Sequence, residues 1–237
     1  MPHTGRDAER LRRTAAEAAA LGGEAFARRI DHTDDAQVEA LFAEIEGGHR
    51  LELLVNNVWG GYEQMVENGR FTWPDPYWEQ PRWRWDAMMT AGVRAAFLAS
   101  QLATRIMLRQ SRGLIVNISF WAAQKHIGNV LYGMAKAATD KMTADMAVEL
   151  AGSGISVVSL YPGLVRTEKV LAAAEYLDLS TSESPRFIGR TIAALWKERE
   201  LAKTFSGRVC VAAEIAGQLE VKDVDGNAPA PLTLAKV

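Results

Sequence analysis

Two side chains with complementary acid–base chemistry stand four residues apart in the run Tyr132-Gly-Met-Ala-Lys136. On a helix this spacing places both side chains on one face, one turn apart. An ammonium group beside a phenol favours the phenolate, so Lys136 should lower the pKa of Tyr132. Such a phenol can exchange a proton with a carbonyl or alcohol oxygen. The pair indicates general acid–base catalysis, although the same spacing is common on ordinary surface helices.

The elements that must position this pair alternate between helical and strand patterns. Helical patterns cover residues 6–21, 34–46, 83–110 and 129–151, and strand patterns cover 24–31, 51–55, 113–119, 155–160 and 208–212. Short apolar strands separated by helices favour a parallel sheet covered on both faces. Right-handed crossovers then give a doubly wound α/β sheet that binds ligands at the carboxyl ends of its strands. We predict one domain over residues 1–237.

The composition argues against several other kinds of site. A formal net charge of −2 indicates no nucleic-acid-binding surface. The single cysteine, Cys210, permits no internal disulfide, and the four histidines show no paired ligand spacing, so we predict no metal. No apolar run reaches the about 18 residues that a membrane span needs, and the N-terminus has no apolar signal core. We therefore expect a cytoplasmic protein.

Further short runs accompany the tyrosine–lysine pair in a fixed order. They are Asp31 in Asp-His-Thr-Asp34, the run Asn56-Asn57-Val58-Trp59-Gly60, Ser119, and Tyr161-Pro162-Gly163-Leu-Val-Arg-Thr167. Together they resemble the landmarks of the short-chain dehydrogenase/reductase family from about Thr4 to the end of the chain. The resemblance implies a Rossmann-like fold and an NAD(P)-dependent oxidoreductase that transfers hydride between the cofactor and a carbonyl or secondary alcohol.

The resemblance also implies a role for each landmark. Tyr132 would be the acid–base group, Ser119 would donate a hydrogen bond to the substrate oxygen, and Lys136 would bind ribose hydroxyls and lower the pKa of Tyr132. Asp31 and Asn56 would hold the adenosine side of the cofactor, while Pro162, Gly163 and Thr167 would close over the nicotinamide side. Ser119 precedes Tyr132 by the usual family separation, whereas counting forward along the strand from Gly113 selects Phe120 instead.

Arg6 bears on the choice of cofactor. By the resemblance, the segment Thr4-Gly5-Arg6 lies where the adenosine ribose would bind. An arginine there can make charge-assisted contacts with a 2′-phosphate, whereas an acidic residue would favour NAD. We therefore expect NADP, with NAD as the second possibility. The alternative is that Arg6 is a solvated residue in the first turn of a helix.

Part of the family pattern is absent from the sequence. The family's first strand, its Thr-Gly-x-x-x-Gly-x-Gly turn, its first helix and most of its second strand would precede Thr4. That turn brings backbone amides to the cofactor pyrophosphate, and residues 6–13 contain no glycine to replace it. We therefore expect an N-terminally truncated Rossmann-like sheet, with unpaired backbone edges where the first strand would lie.

A second departure is Gly92, which aligns with an asparagine that holds a relay water in the family. Together with the absent turn, it leaves open an alternative function, a non-catalytic protein of the same scaffold that acts as an interaction or regulatory subunit. The intact Tyr132/Lys136 pair favours the enzyme.

Aromatic residues crowd the segment between the strand at 51–55 and the helix at 83–110. They are Trp59, Tyr62, Phe71, Trp73, Tyr77, Trp78, Trp83 and Trp85. They indicate either the pocket wall of an apolar substrate or a secondary core or subunit contact. By resemblance to one branch of the family, carried by residues 132–137, 159–163 and 222–226, we expect a steroid-like or xenobiotic carbonyl substrate. The family also implies a homodimer or homotetramer built on the two long helices.

Overall fold

Each predicted helix and strand is present in the computed structural model, which describes residues 1–171, 175 and 178–237. The strands are β1 (Pro2–Gly5), β2 (Phe26–Arg29), β3 (Leu53–Asn56), β4 (Val66–Glu67), β5 (Arg70–Phe71), β6 (Gly113–Ile118), β7 (Ile155–Tyr161) and β8 (Val209–Val211). The helices are α1 (Ala8–Ala20), α2 (Asp35–Gly48), α3 (Arg82–Trp85), α4 (Ala95–Gln110), α5 (Val130–Glu149), α6 (Glu168–Leu171), α7 (Pro185–Lys197), α8 (Arg199–Phe205) and α9 (Ala212–Gln218).

The long strands form parallel sheets, as the alternation of helices and strands predicts. β1 pairs with β2, and a four-stranded sheet has the order β3-β6-β7-β8. Within the described residues these two sheets are not hydrogen-bonded to each other, so β3 is an edge strand and its Val55 is 38% exposed. β4 and β5 form a separate antiparallel hairpin inside the aromatic segment. The architecture is Rossmann-like.

Helices cover both faces of the four-stranded sheet because successive strand residues point to opposite sides. On one face Ile115 and Val157 pack with the apolar residues of α2 and α4. On the other face Val116 and Val158 pack with α7 and α9. Met107 lies in the first of these packed layers and Cys210 in the second, and both side chains are buried.

The side chain of Asn129 caps the start of α5 and also forms a hydrogen bond with the aromatic segment. Asn129 is the N-cap of α5, and its Oδ1 accepts a hydrogen bond of 3.1 Å from the backbone nitrogen of Tyr132. Its Nδ2 donates to the carbonyl oxygen of Trp73 at 2.9 Å. One buried asparagine therefore sets the position of Tyr132 and brings Trp73 next to it.

The predicted helix at 83–110 is not uniform. A π-helical stretch, Asp86–Arg94, lies between α3 and α4. Wide π turns are rare and are often found beside functional sites. This one contains Gly92 and the fully buried Met88, and it lies against the loop that follows β3.

In the part of the chain that the structure describes, no helix combines the length and apolar character needed to span a bilayer. The same residues include no group of three or more histidine, cysteine, aspartate or glutamate side chains placed to hold a metal ion.

Candidate active site

Tyr132 lies in the first turn of α5, inside a cage of aromatic rings. Its ring centre is 5.7 Å from that of Trp59, 6.1 Å from Tyr62, 5.3 Å from Trp73 and 6.4 Å from Phe120. One hydroxyl of the Tyr132/Tyr62 pair donates to the other across 3.1 Å. Burial, followed by the effect of Tyr62, raises the pKa of Tyr132. The lowering expected from Lys136 is not seen in this structure, where burial has the largest effect on the pKa of Tyr132.

Lys136 shares a helix face with Tyr132, as the four-residue spacing predicts. Its Nζ donates to the carbonyl oxygen of Ile118 at 3.2 Å and lies 5.8 Å from the centre of the Tyr132 ring. Burial lowers the pKa of Lys136 to about 8, against the opposing attraction of Asp140. No hydrogen bond between the described atoms joins this ammonium to the Tyr132 hydroxyl. The two groups are neighbours, but they are not directly bonded.

Ser119 follows β6 directly and is 1% exposed. Its Oγ donates to the backbone oxygen of Lys136 at 3.3 Å, which places the hydroxyl beside the helix turn that carries the pair. Phe120, the other candidate position, packs its ring against Tyr132 and has no hydroxyl to donate. The structure therefore brings Ser119, Tyr132 and Lys136 together at the carboxyl end of the sheet.

Asn56 and Asp31 are the residues expected on the adenosine side of the cofactor. Asn56 is the last residue of β3, and Asp31 follows the end of β2. The Nδ2 of Asn56 donates to Ser100 Oγ and to Asn117 Oδ1, each at 2.8 Å, so this amide ties β3 to α4 and β6. The Oδ1 of Asp31 accepts bonds from the backbone nitrogen and hydroxyl of Thr33, which lower the pKa of Asp31. Both side chains have local structural partners, and their contacts with a cofactor stay predictions.

Arg6 follows β1 at the carboxyl end of the two-stranded sheet. It precedes Asp7, the N-cap of α1, so it lies outside the helix rather than in its first turn. Its guanidinium forms an ion pair with Glu63, and its side chain is 59% exposed. This ion pair joins the carboxyl edge of β1 to the segment after β3. An exposed cation at this edge is accessible to an anionic group of a ligand.

The Pro162-Gly163 turn directly follows β7 and is held by a buried carboxyl group. Glu183 Oε2 accepts a bond of 2.8 Å from the Gly163 nitrogen, and Glu183 is 1% exposed. A Cβ at Gly163 would lie 2.9 Å from Glu183 Oε1, so a larger residue there would have to displace this carboxyl group. Burial raises the pKa of Glu183 to about 7, with Asp223 adding to the rise and the Gly163 amide and Arg166 opposing it.

Thr167, the last landmark of this turn, is exposed, and its hydroxyl accepts from the nitrogen of Val170 at 3.4 Å at the start of α6. Sequence reasoning missed Glu183. Its only local signal is the Ser184-Pro185 helix start that follows it, which is typical of many helices.

Trp59 is adjacent in space to Gly92, the position that departs from the family's asparagine. A Cβ at Gly92 would lie 2.8 Å from two atoms of the Trp59 ring, and one at Gly61 would lie 2.6 Å from the same indole. The indole therefore fills the volume that a side chain at position 92 would take. Its Nε1 is buried and has no hydrogen-bond partner among the described atoms.

Comparisons with known proteins agree with this arrangement. The family model for short chain dehydrogenase matches residues 3–175. The chain is 35% identical over 239 residues to mouse dehydrogenase/reductase SDR family member 1, covering 94% of this chain and 75% of that protein. It is 32% identical over 151 residues to 7alpha-hydroxysteroid dehydrogenase of Escherichia coli K12, covering 62% of this chain and 54% of that enzyme. A metagenomic short-chain oxidoreductase crystallised with NADP superimposes with a TM-score of 0.70 at 23% identity, covering 89% and 83% of the two chains.

Proposed function

The chain belongs to the short-chain dehydrogenase family, and on that premise we propose that it transfers hydride between NADP and a carbonyl or secondary alcohol. NAD is the second possible cofactor. The observation that carries the proposal is the burial of Tyr132 and Lys136 on one face of α5, with Ser119 beside them. Buried ionisable groups clustered at the carboxyl edge of a parallel sheet are typical of a catalytic site.

The residues at this edge fit a nicotinamide nucleotide. Lys136 has one acceptor among the described atoms, the oxygen of Ile118, so its other N–H groups can donate to ribose hydroxyls. Trp59 Nε1 and Glu183 Oε1 are buried and unpaired among those atoms, and native proteins seldom leave such groups unsatisfied. A polar ligand with both donors and acceptors would pair them. Arg6 supports NADP because its exposed guanidinium can bind a 2′-phosphate.

A bound nicotinamide would supply the hydride. Residues of the chain transfer the proton and bind the substrate oxygen. In carbonyl reduction, the Tyr132 hydroxyl donates its proton to that oxygen, while the Ser119 hydroxyl donates a hydrogen bond to it. Lys136 stabilises the phenolate that remains.

The aromatic cage supports an apolar carbonyl substrate, steroid-like or xenobiotic. Trp59, Tyr62, Trp73 and Phe120 surround the phenol and offer flat apolar surfaces rather than charged groups. The similarity to 7alpha-hydroxysteroid dehydrogenase of E. coli supports the same substrate class.

We also propose a homodimer built on α4 and α5. An apolar groove between the π-helical stretch, α4 and α5 is lined by Trp85, Met89, Phe97, Met142 and Met146 among others, and Trp85 and Phe97 are 45% and 52% exposed. Exposed aromatic residues in one patch are typical of subunit contacts. Light scattering of the purified protein would test this proposal. The cytoplasmic location stays a prediction from sequence.

The direct test is NADPH consumption by the purified chain with a panel of ketones that includes ring ketones of steroids. We expect turnover by the native chain and by Tyr77→Phe, which changes an exposed tyrosine of the same segment. We expect Tyr132→Phe to lose activity. Equal turnover by Tyr132→Phe would refute the proposed mechanism, and absence of turnover with every ketone and both nucleotides would refute the function.

A further inference from the structure

The turn that follows β7 is held by one residue from a distant segment, Glu183. Its side-chain Oε2 accepts a hydrogen bond of 2.8 Å from the Gly163 nitrogen. Its backbone nitrogen donates to the Leu164 oxygen, and its backbone oxygen accepts from the Arg166 nitrogen, each at 2.8 Å. Of these three bonds, only the one to Gly163 involves a group that can change its charge. The Pro162–Gly163 end of the turn therefore depends on the state of a single carboxyl group.

The Glu183 carboxyl group is buried and forms no ion pair with any described residue. Glu183 is 1% exposed, and its Oε1 has no hydrogen-bond partner among the described atoms. Two charged groups act on it there, Asp223 from the segment after α9 and Arg166 from the turn. The Arg166 guanidinium is directed elsewhere, because it pairs with Asp223 at 3.1 Å and donates to the Ser182 oxygen at 2.6 Å. Burial therefore has the largest effect and raises the pKa of Glu183 to about 7.

The turn adjoins the predicted catalytic residues. The backbone oxygen of Leu160, two residues before Pro162, accepts a hydrogen bond of 2.9 Å from the Ser119 nitrogen. By the family resemblance, Pro162 and Gly163 would close over the nicotinamide side of the cofactor. A carboxylate accepts a stronger hydrogen bond than a neutral acid does, so ionised Glu183 holds the Gly163 amide more firmly than protonated Glu183.

From these contacts we propose that Glu183 is a positioning residue, which sets the Pro162–Gly163 turn against the nicotinamide end of NADP. The proposal rests on the proposed function, because it takes NADP as the bound cofactor. Glu183 acts through the Gly163 amide and needs no contact with the reacting atoms. Ionised Glu183 holds the turn in place for the cofactor, and protonation weakens that hold. The affinity for NADPH should therefore fall as the pH decreases through about 7.

The hydrogen bond is tested first on the full chain without cofactor. Pro162-Gly163 is the only Pro-Gly pair in the sequence, so labelling with 13C proline and 15N glycine isolates the NMR signal of the Gly163 amide. We expect this signal to titrate with a midpoint near pH 7 in the native chain and to show no such step in Glu183→Gln. Glu200→Gln, at an exposed position, should keep the native titration. A native signal that stays constant through this pH range would overturn the proposal.

The effect on the cofactor is tested by NADPH binding, measured as quenching of tryptophan fluorescence at pH 6 and pH 8. The native chain and Glu183→Gln should bind alike at pH 6, and the variant should bind roughly fivefold more weakly at pH 8. Comparison at the same pH cancels the titration of the 2′-phosphate. A purely structural role predicts no such loss, because the variant is expected to be the more stable protein at pH 8. Equal affinities at both pH values would overturn the proposal.

Kinetics distinguish failure of this proposal from failure of the proposed function. With a ketone substrate at pH 8, Glu183→Gln should raise KM for NADPH by the same factor, while kcat changes less than about twofold. If the native chain reduces ketones but Glu183→Gln binds NADPH as tightly at pH 8, the positioning role is wrong and the function stands. If the expected difference in NADPH binding is found but no ketone is reduced, the function fails and the positioning role stands. If the native chain binds no NADPH, both fail.

Discussion

The ammonium nitrogen of Lys136 lies 4.2 Å from the centre of the Trp59 indole ring, within the range of a cation–π contact. Lys136 forms no salt bridge with any described carboxylate, and Asp140 attracts it only at longer range. A cation that is buried beside an aromatic face has lost most of its hydration, and the ring replaces little of it. This burial explains why the pKa of Lys136 is low and predicts that the residue costs stability.

Replacing Lys136 by methionine should stabilise the protein at pH 7. Burial lowers the pKa of Lys136 from 10.5 to about 8, so the unfolded chain binds more protons than the folded one between these values. The native chain should therefore gain stability as pH rises from 8 to 10.5, and the advantage of Lys136→Met, on the order of 3 kcal/mol at pH 7, should shrink. Urea unfolding at pH 7 and pH 10 measures this.

The matched control is Lys141→Met on the exposed face of the same helix, where the side chain is 74% exposed. We expect it to change the free energy of unfolding little at either pH. A Lys136→Met protein that is less stable than the native chain at pH 7 would show that the buried ammonium is not strained.

Glu183→Gln should remove a pH dependence of stability. The pKa of Glu183 is raised from 4.5 to about 7, so the folded chain binds the extra proton and native stability falls as pH rises through this window. Glutamine keeps an acceptor for the Gly163 nitrogen and does not ionise. The variant should match the native chain near pH 4.5 and exceed it by on the order of 3 kcal/mol at pH 8.

Urea unfolding at both pH values, with the exposed Glu200→Gln as control, measures the effect of Glu183. The same stability difference between Glu183→Gln and the native chain at both pH values would contradict the account of this carboxyl.

Gly92→Ala should destabilise the protein through Trp59. The added Cβ would lie 2.8 Å from two indole atoms, which forces the ring to move at a cost of about 1–3 kcal/mol. In Trp59→Leu the same glycine change should cost much less, because the ring is gone. Gly189→Ala in α7 is the control, since nothing lies within 4 Å of its added Cβ. The cycle compares the native chain, Gly92→Ala, Trp59→Leu and the double variant. If the two single changes in the free energy of unfolding simply add in the double variant, the contact between position 92 and Trp59 is not the cause.

Arg84→Ala should loosen the aromatic segment. Arg84 is fully buried, and its guanidinium donates to the oxygen and hydroxyl of Thr72 and to Gln80. Its removal leaves buried acceptors unpaired, which should cost roughly 2–5 kcal/mol and raise KM for the ketone. Limited proteolysis between residues 62 and 80, with exposed Arg82→Ala alongside, reports the change. Identical cleavage of the two variants would contradict it.

The sequence predicts the regular elements well because their periodicity is local. The pattern at 129–151 corresponds to α5 at Val130–Glu149, and the strand pattern at 155–160 corresponds to β7. The π-helical stretch could not be predicted from local periodicity. It accompanies the packing of Trp59 against Gly92, and these two residues are far apart in the chain. The β4–β5 hairpin has two residues in each strand, which is too short for a periodic signal.

The residues of the candidate site also fall into those that a local sequence pattern reveals and those that it does not. Tyr132 and Lys136 are visible in the sequence because one helical turn joins them. The partners of Tyr132 and Gly163 are not visible in the sequence, because Tyr62 and Glu183 come from distant segments of the chain. The amide of Asn56 is directed by contacts with α4 and β6, which no local pattern reveals.

The most direct test of the proposed chemistry follows deuterium from NADPH labelled at C4 into the alcohol product, for the native chain and for Tyr132→Phe. We predict that the native chain transfers the label to the carbinol carbon and that Tyr132→Phe does so roughly 100-fold more slowly or worse. Tyr132→Phe that transfers the label at the native rate would contradict the assignment of Tyr132 as the proton donor.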